Sequence, residues 1–346
     1  MGKRTRPTVR DIAVRARVSP ATVSAALQPA GTGASVGADT RRKILDAAEA
    51  LGYDYSRLRR RLHRTTTVAL FCPANTHPNV SGLVYAELLE LSERFAHHGI
   101  HALVQSGHGV TGRDAVAAGE LFRKGEADGA VVLSMWDWAA HMPDWDAPSV
   151  FLGPAPGDVP LCQVNVDDEL GGRLAAEHLW SLGHRSVGMV HMWPNGWGSD
   201  RERGFRSAWA QRGVEIPEAA SVALPDTTEE SVVGAVRALL GTRHATNGRI
   251  TALFCDADWV ASHAIRAARS MGLGVPDDVS VMGFDDAAFA TMMDPPLTTV
   301  RQPVRELAAL AASLLVEQMR LGQPMTTTYR VPCELVARGT TAPVRE

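Results

Sequence analysis

Residues 67–346 carry short apolar runs separated by longer amphipathic stretches. Such runs predict buried β-strands, and the stretches between them, of which 85–98 is one, have apolar residues at helical spacing. Short apolar strands that alternate with helices form parallel sheets covered on both faces. The pattern therefore predicts an α/β body of two such units, in which ligands bind beyond the carboxyl ends of the strands. The strands are expected at 68–72, 101–104, 129–133, 149–152, 186–190, 251–254 and 279–282, with crossovers between the units near Asn165 and Asp285.

The first 55 residues have a different pattern, that of three short helices. Thr8, three residues before Asp11, predicts one helix N-terminus, and Ser19-Pro20 predicts the next. A third helix is expected over Asp39–Leu51. Three short helices with a basic surface are typical of a helix-turn-helix that reads DNA, and a bundle with no DNA role is the alternative.

Charge is distributed unevenly along the chain. Residues 1–64 hold 14 Lys and Arg against 5 Asp and Glu, a net charge of +9, whereas the whole chain has a net charge of −3. The body, residues 65–346, therefore has a net charge of −12. A basic segment attached to an acidic body attracts and orients a polyanion, which agrees with a DNA-binding head.

Composition narrows the class of protein further. At 346 residues and 45% hydrophobic content, the sequence indicates a multidomain globular protein. We expect it to be cytoplasmic and not bound to a membrane, because it has neither an apolar stretch of about 18 residues nor the h-region of a secretory signal. Its four cysteines are dispersed, which favours reduced thiols over disulfides or a metal site.

Two long segments carry a family resemblance. They resemble the head and hinge of the LacI/GalR family of bacterial transcriptional regulators, and their sequences are TVRDIAVRARVSPATVSAAL and DTRRKILDAAEALGYDYSRLRRRL. DDELGGRLAAEHLWSLGHRSVGMV, SDRERGFRSAW and VPDDVSVMGFDDAAFA continue the resemblance through the body. It implies a helix-turn-helix head over 1–55, a hinge helix and linker over 56–66, and a two-lobed body over 67–346. That body would resemble periplasmic binding proteins, bind an effector and form a homodimer.

The resemblance also implies a set of operator contacts in the head and hinge. Thr22 and Ser24 are expected mainly to hold phosphates, and Ala25 can contact only a thymine methyl. Leu62 matches a leucine that wedges between base steps in the minor groove, although a basic linker without that role is the alternative. The full set of predicted DNA-binding residues is Thr8, Pro20, Ala21, Thr22, Ser24, Ala25, Arg57, Arg60 and Leu62.

The effector contacts follow from the resemblance in the same way. Arg201 matches an arginine that anchors the effector, and Asp285 matches an acid that accepts its hydroxyl groups, although each could instead have a structural role. Asp167 and Asp258 are further candidates. Trp197 and Trp259 could stack on a sugar or a base, and packing roles for both are the alternative.

The sequence leaves three classes of function to compare. A regulator would bind a palindromic duplex and respond to a small metabolite, a pure binding protein would have no DNA affinity, and an enzyme would turn the metabolite over. The body contains no GxSxG elbow after a strand, and the sequence contains no GxxxxGK[ST] or HExxH motif; no cofactor or metal is implied. The sequence therefore favours a repressor modulated by a sugar, a nucleoside or a related metabolite.

Overall fold

The computed structural model describes most of the head and body. The described residues are 7–26, 36–51, 53, 66–73, 78–107, 118–134, 142–145, 147–155, 159–192, 197–226, 228–241 and 249–345. The predicted hinge residues Arg57, Arg60 and Leu62 lie outside them.

The head contains three helices at the predicted places: α1 (Val9–Ala16), α2 (Pro20–Ala26) and α3 (Ala38–Ala50). Their common core contains Ile12, Val23 and Ile44, all without exposed surface. The turn after α1 places Arg17 in the left-handed region, with φ 55° and ψ 49°. An arginine therefore occupies a backbone conformation that glycine adopts at lower cost.

The described body contains seven further α-helices and twelve strands. The helices are α4 (Pro78–His97), α5 (Glu120–Lys124), α6 (Asp168–Ser181), α7 (Trp197–Ala210), α8 (Glu229–Gly241), α9 (Asp258–Ser270) and α10 (Val304–Leu321). The strands are β1 (Thr66–Pro73), β2 (Ile100–Gly107), β3 (Gly129–Leu133), β4 (Ser149–Leu152), β5 (Gln163–Val166), β6 (Val187–His191), β7 (Ser221–Ala223), β8 (Ala252–Cys255), β9 (Ser280–Met282), β10 (Thr299–Arg301), β11 (Thr328–Val331) and β12 (Glu334–Val336).

The first lobe is built on a parallel sheet of order β11-β5-β4-β3-β1-β2. Successive residues of β1 face opposite sides of this sheet. Val68 and Leu70 pack with α4 and α10, whereas Ala69 and Phe71 pack with α5 and Trp145. Both faces are therefore covered, which explains why β1 is continuously apolar.

The second lobe is built on a parallel sheet of order β7-β6-β8-β9. Its core includes Phe205 and Phe254, whose rings stack with centroids 4.9 Å apart. His184 connects the C-terminal segment to this lobe. Its Nδ1 lies 2.9 Å from Thr251 Oγ1 in the lobe, and its Nε2 lies 3.1 Å from the carbonyl oxygen of Ala342 in the C-terminal segment. Both predicted parallel units are thus present.

The chain crosses between the lobes at three places. The first crossing follows Val166, close to the predicted position near Asn165. The second was expected near Asp285, but the chain first returns through β10, which bridges back to Asp285 through Arg301, and crosses at Gln302. A third crossing joins β11 to β12. No helix among the described ranges is long and apolar enough to span a bilayer.

Candidate functional site

A cleft of about 670 Å³ opens at the carboxyl ends of strands from both lobes. Ser134 and Gly153 follow β3 and β4 in the first lobe, and Met192 and Asp256 follow β6 and β8 in the second. The cleft therefore lies where the alternation of strands and helices predicts a ligand.

Arg201 projects from α7 into this cleft and is buried. Its Nε donates to Asp168 Oδ1 at 2.7 Å, its Nη1 donates to the carbonyl oxygen of Asp256, and Nη1 lies 3.9 Å from Asp285 Oδ1. Its guanidinium carbon lies 3.6 Å from the centroid of the Phe284 ring. Burial disfavours the charged guanidinium, but the nearby carboxylates outweigh burial and raise the pKa of Arg201. The cleft therefore holds a fixed, fully charged donor.

Two glycines allow α6 and α7 to approach closely enough to place Arg201. A Cβ on Gly172 would overlap the carbonyl oxygen of Arg201, and a Cβ on Gly204 would overlap that of Glu169. The motifs LGGR and RERGF are therefore explained by a backbone contact between two helices. The same contact brings Asp168 of α6 to the guanidinium.

Asp285 is buried near the Arg201 guanidinium and has a positive φ of 123°. Gln302 Nε2 donates to Asp285 Oδ1 at 2.6 Å, which links the cleft to the second crossing between the lobes. Asp286 also has positive φ, and its carboxylate binds Arg301 and Arg338. Strained backbone held by several neighbours is a common property of ligand sites.

Glu87 of α4 lines the first-lobe side of the cleft and was not predicted from the sequence. Its side chain shares the buried helix face with Val84 and Leu91, and the residue is only 8% exposed. Its Oε2 has no hydrogen-bond partner among the described residues. Burial raises the pKa of Glu87 to about 8, so the carboxyl group is protonated at neutral pH. The available signal was a carboxylate at an apolar position of a helical repeat.

The proton on Glu87 predicts a pH-dependent stability. Because the pKa is raised from 4.5 in the unfolded chain to about 8 in the folded one, the folded state binds more protons between these values. This one group therefore makes the free energy of unfolding fall as pH rises through that window, by at most about 1.4 kcal/mol per unit. Glu87→Gln, which cannot titrate, should gain stability relative to the native chain from pH 5 to pH 8, as measured by urea unfolding.

The matched control is Glu93→Gln on the exposed side of the same helix. Its stability difference from the native chain should not change with pH. If the difference for Glu87→Gln is equally flat, Glu87 is ionised in the folded protein and the assignment of its proton is wrong.

Other residues predicted to bind an effector lie away from the described cleft lining. Asp167 caps α6 by accepting from the Leu170 amide at 3.0 Å. Asp258 has no exposed surface and accepts from Thr299 Oγ1 at 2.5 Å and from the Ala287 amide at 2.7 Å. Trp259 packs on the second-lobe core, with its ring centroid 4.1 Å from that of His263. The backbone of Trp197 begins α7, and its side chain is outside the described part.

The predicted head residues fall on the first two helices. Thr8 forms a capping box with Asp11, in which the Thr8 amide donates to Asp11 Oδ2 at 2.7 Å. Ser19 caps α2 by accepting from the Thr22 amide at 3.0 Å. Pro20 and Ala21 are exposed on α2, whereas Thr22, Ser24 and Ala25 are half-buried. The outward side of α2 is therefore available for contact with DNA, but less exposed than the sequence indicates.

Comparison with known proteins agrees with both parts of the structure. Residues 8–55 match the model of the bacterial regulatory proteins of the lacI family, and residues 176–341 match the periplasmic binding protein-like domain. An uncharacterised HTH-type transcriptional regulator in the aml 5' region of Streptomyces limosus is 33% identical over 358 residues, which cover 97% of this chain and 95% of that one. CelR of Thermobifida fusca is 31% identical over 92% of this chain and 94% of its own.

A solved structure gives the same result. The complex of the transcriptional regulator CelR with cellobiose superposes with a TM-score of 0.70 at 25% identity, covering 97% of this chain and all of that one. A helix-turn-helix head joined to a two-lobed body with a ligand cleft defines a DNA-binding transcriptional regulator and not an enzyme. The chain belongs to the LacI family of bacterial regulators.

Proposed function

We propose that this chain is a repressor whose operator binding is altered by a sugar or nucleoside bound between the two lobes. The observation that carries the proposal is the buried Arg201 and Asp285 pair lining a cleft in a chain that also has a basic head. A guanidinium supplies fixed donors and a carboxylate supplies acceptors, a combination suited to hydroxyl groups. The complex of CelR with cellobiose supports a sugar as the first class to test.

The proposed operator contacts lie in the head and hinge. The exposed side of α2, with Pro20 and Ala21 at its start, enters the major groove, and Thr8 lies at the N-terminus of α1. Thr22 and Ser24 hold phosphates, and Ala25 contacts the edge of a base. Arg57 and Arg60 bind the backbone and Leu62 enters the minor groove.

The proposed effector contacts are centred on Arg201 and Asp285. Trp197 begins the helix that carries Arg201 and is proposed as a stacking residue. Asp167, Asp258 and Trp259 act in this proposal by holding α6, β10 and α9 in place around the cleft, because their described contacts are structural.

The proposed assembly is a homodimer that pairs through the first lobe. Strand β2 forms the edge of its sheet, where Leu103 and Val104 are exposed. Tyr85 and Leu89 on the adjacent α4 are also exposed. An apolar patch beside a free sheet edge is typical of an interface, and two-fold symmetry would place two heads on the half-sites of a palindrome.

The proposal predicts salt-dependent, sequence-selective DNA binding. The purified chain should bind one palindrome in its own upstream DNA more tightly than random duplex, and the affinity should fall steeply between 50 and 200 mM salt, by about 10³-fold if six or more phosphates are contacted. One compound in a panel of sugars and nucleosides should shift that affinity. Fluorescence anisotropy with a scrambled duplex as control measures both effects. Equal affinity for palindrome and scrambled duplex would contradict the proposed function.

A further inference from the structure

The described ionisable residues that line the cleft are mostly acids. Among its described lining residues, Arg201 is the single cation, whereas Glu87, Asp256 and Asp285 are acids. Arg201 is already engaged by Asp168 and lies near Asp285. No ion pair joins Glu87 to a cation within the described ranges. The first-lobe wall of the cleft therefore has an acid without a counterion.

The surroundings of Glu87 make this acid a ligand group and not a surface group. Leu83 and Val84 on α4 and Leu307 on α10 also line the cleft, and Glu87 Oε2 is buried with no hydrogen-bond partner among the described residues. A buried carboxyl oxygen with no partner costs free energy, which a bound donor would recover. A neutral hydroxyl group can form a hydrogen bond with the protonated carboxyl group but does not favour its ionisation, whereas an ammonium group favours the carboxylate and forms a charge-assisted bond with it.

We propose that the effector carries a basic nitrogen, as in an amino sugar, and that Glu87 binds this nitrogen while Arg201 and Asp285 hold the hydroxyl groups on the opposite side. The proposal rests on the proposed function for the location of the effector, and it adds the class of ligand. The raised pKa of Glu87 agrees with it, because a ligand cation would bring that pKa down and allow the carboxylate to form.

Matched pairs of ligands test the proposal. The full chain is titrated by calorimetry with glucosamine and glucose, with galactosamine and galactose, and with mannosamine and mannose, and the ratio of the two affinities is taken for each pair. At least one amine should bind about tenfold more tightly than its neutral partner, as expected for a charge-assisted bond. In Glu87→Gln that ratio should fall close to one, and in Glu93→Gln it should be unchanged.

Three results would overturn the proposal. They are neutral partners that bind as tightly as the amines, an unchanged ratio in Glu87→Gln, and no binding of any amine at millimolar concentration. The first comparison needs only the native chain, so it stands even if the variant does not fold. The proposed function is tested separately, because a neutral sugar could still release the operator when the amines fail, and an amine could bind without altering operator affinity.

Discussion

Arg201→Met should destabilise the body by about 3–5 kcal/mol, because it leaves Asp168 and Asp285 buried without their shared cation. Methionine fills much of the same volume, so the loss measures the missing charge and hydrogen bonds more than a cavity. Urea unfolding followed by tryptophan fluorescence measures the free energy. The same variant should lose its response to the effector in the anisotropy assay, because the fixed donor of the cleft is gone.

The neighbouring Arg203 provides the control. It lies on the same helix, its side chain is 52% exposed, and it pairs with Asp200 at 2.8 Å and Glu169 at 3.0 Å. Surface pairs of this kind contribute little, so Arg203→Met should change stability by about 1 kcal/mol or less. Similar losses for both variants would show that Arg201 is not held in a buried charge cluster in solution.

Gly172→Ala should cost about 3 kcal/mol or more, because the added methyl group strikes the backbone of α7 and not a side chain that can rotate away. The two helices must separate or shift, and the first residue displaced is Arg201, whose carbonyl oxygen is the group overlapped. The variant should therefore lose both stability and effector affinity, measured by urea unfolding and calorimetry.

Gly234→Ala is the opposite case within the same lobe. Gly234 lies in α8, and a Cβ there meets no atom within 4 Å. Alanine has the higher helix propensity, so this variant should gain up to about 1 kcal/mol. If Gly172→Ala were as well tolerated as Gly234→Ala, the close approach of α6 and α7 would not be needed for folding.

Apolar patterning predicted the continuously apolar strands and missed others, among them β5, which lies inside the first sheet but carries polar residues at Gln163 and Asn165. The runs 129–133 and 149–152 have the same bounds in the structure, because these strands are buried on both faces. Strand β11 was missed because its residues alternate between exposed and half-buried at the edge of the sheet. Strands β7, β10 and β12, of three residues each, were also missed.

Family resemblance singled out Arg201 and Asp285, which both line the cleft, because each lies within a motif quoted from the sequence. It could not show that the neighbouring Asp258 turns toward Thr299 and the Ala287 amide. Glu87 was missed for the opposite reason, since a glutamate on a helix is usually a surface residue. Which face of a helix is buried is decided by the packing of α4 against α10 and the sheet.

The bond from Gln302 to Asp285 places a cleft residue at the pivot between the lobes. A ligand that binds the Asp285 oxygen in place of Gln302 would remove a hydrogen bond at a crossing between the lobes. A small rotation at that crossing would move the whole first lobe. If a ligand acts there, we expect the size of its effect to follow from the difference in its affinity for the two lobe arrangements, and not from the tightness of binding alone.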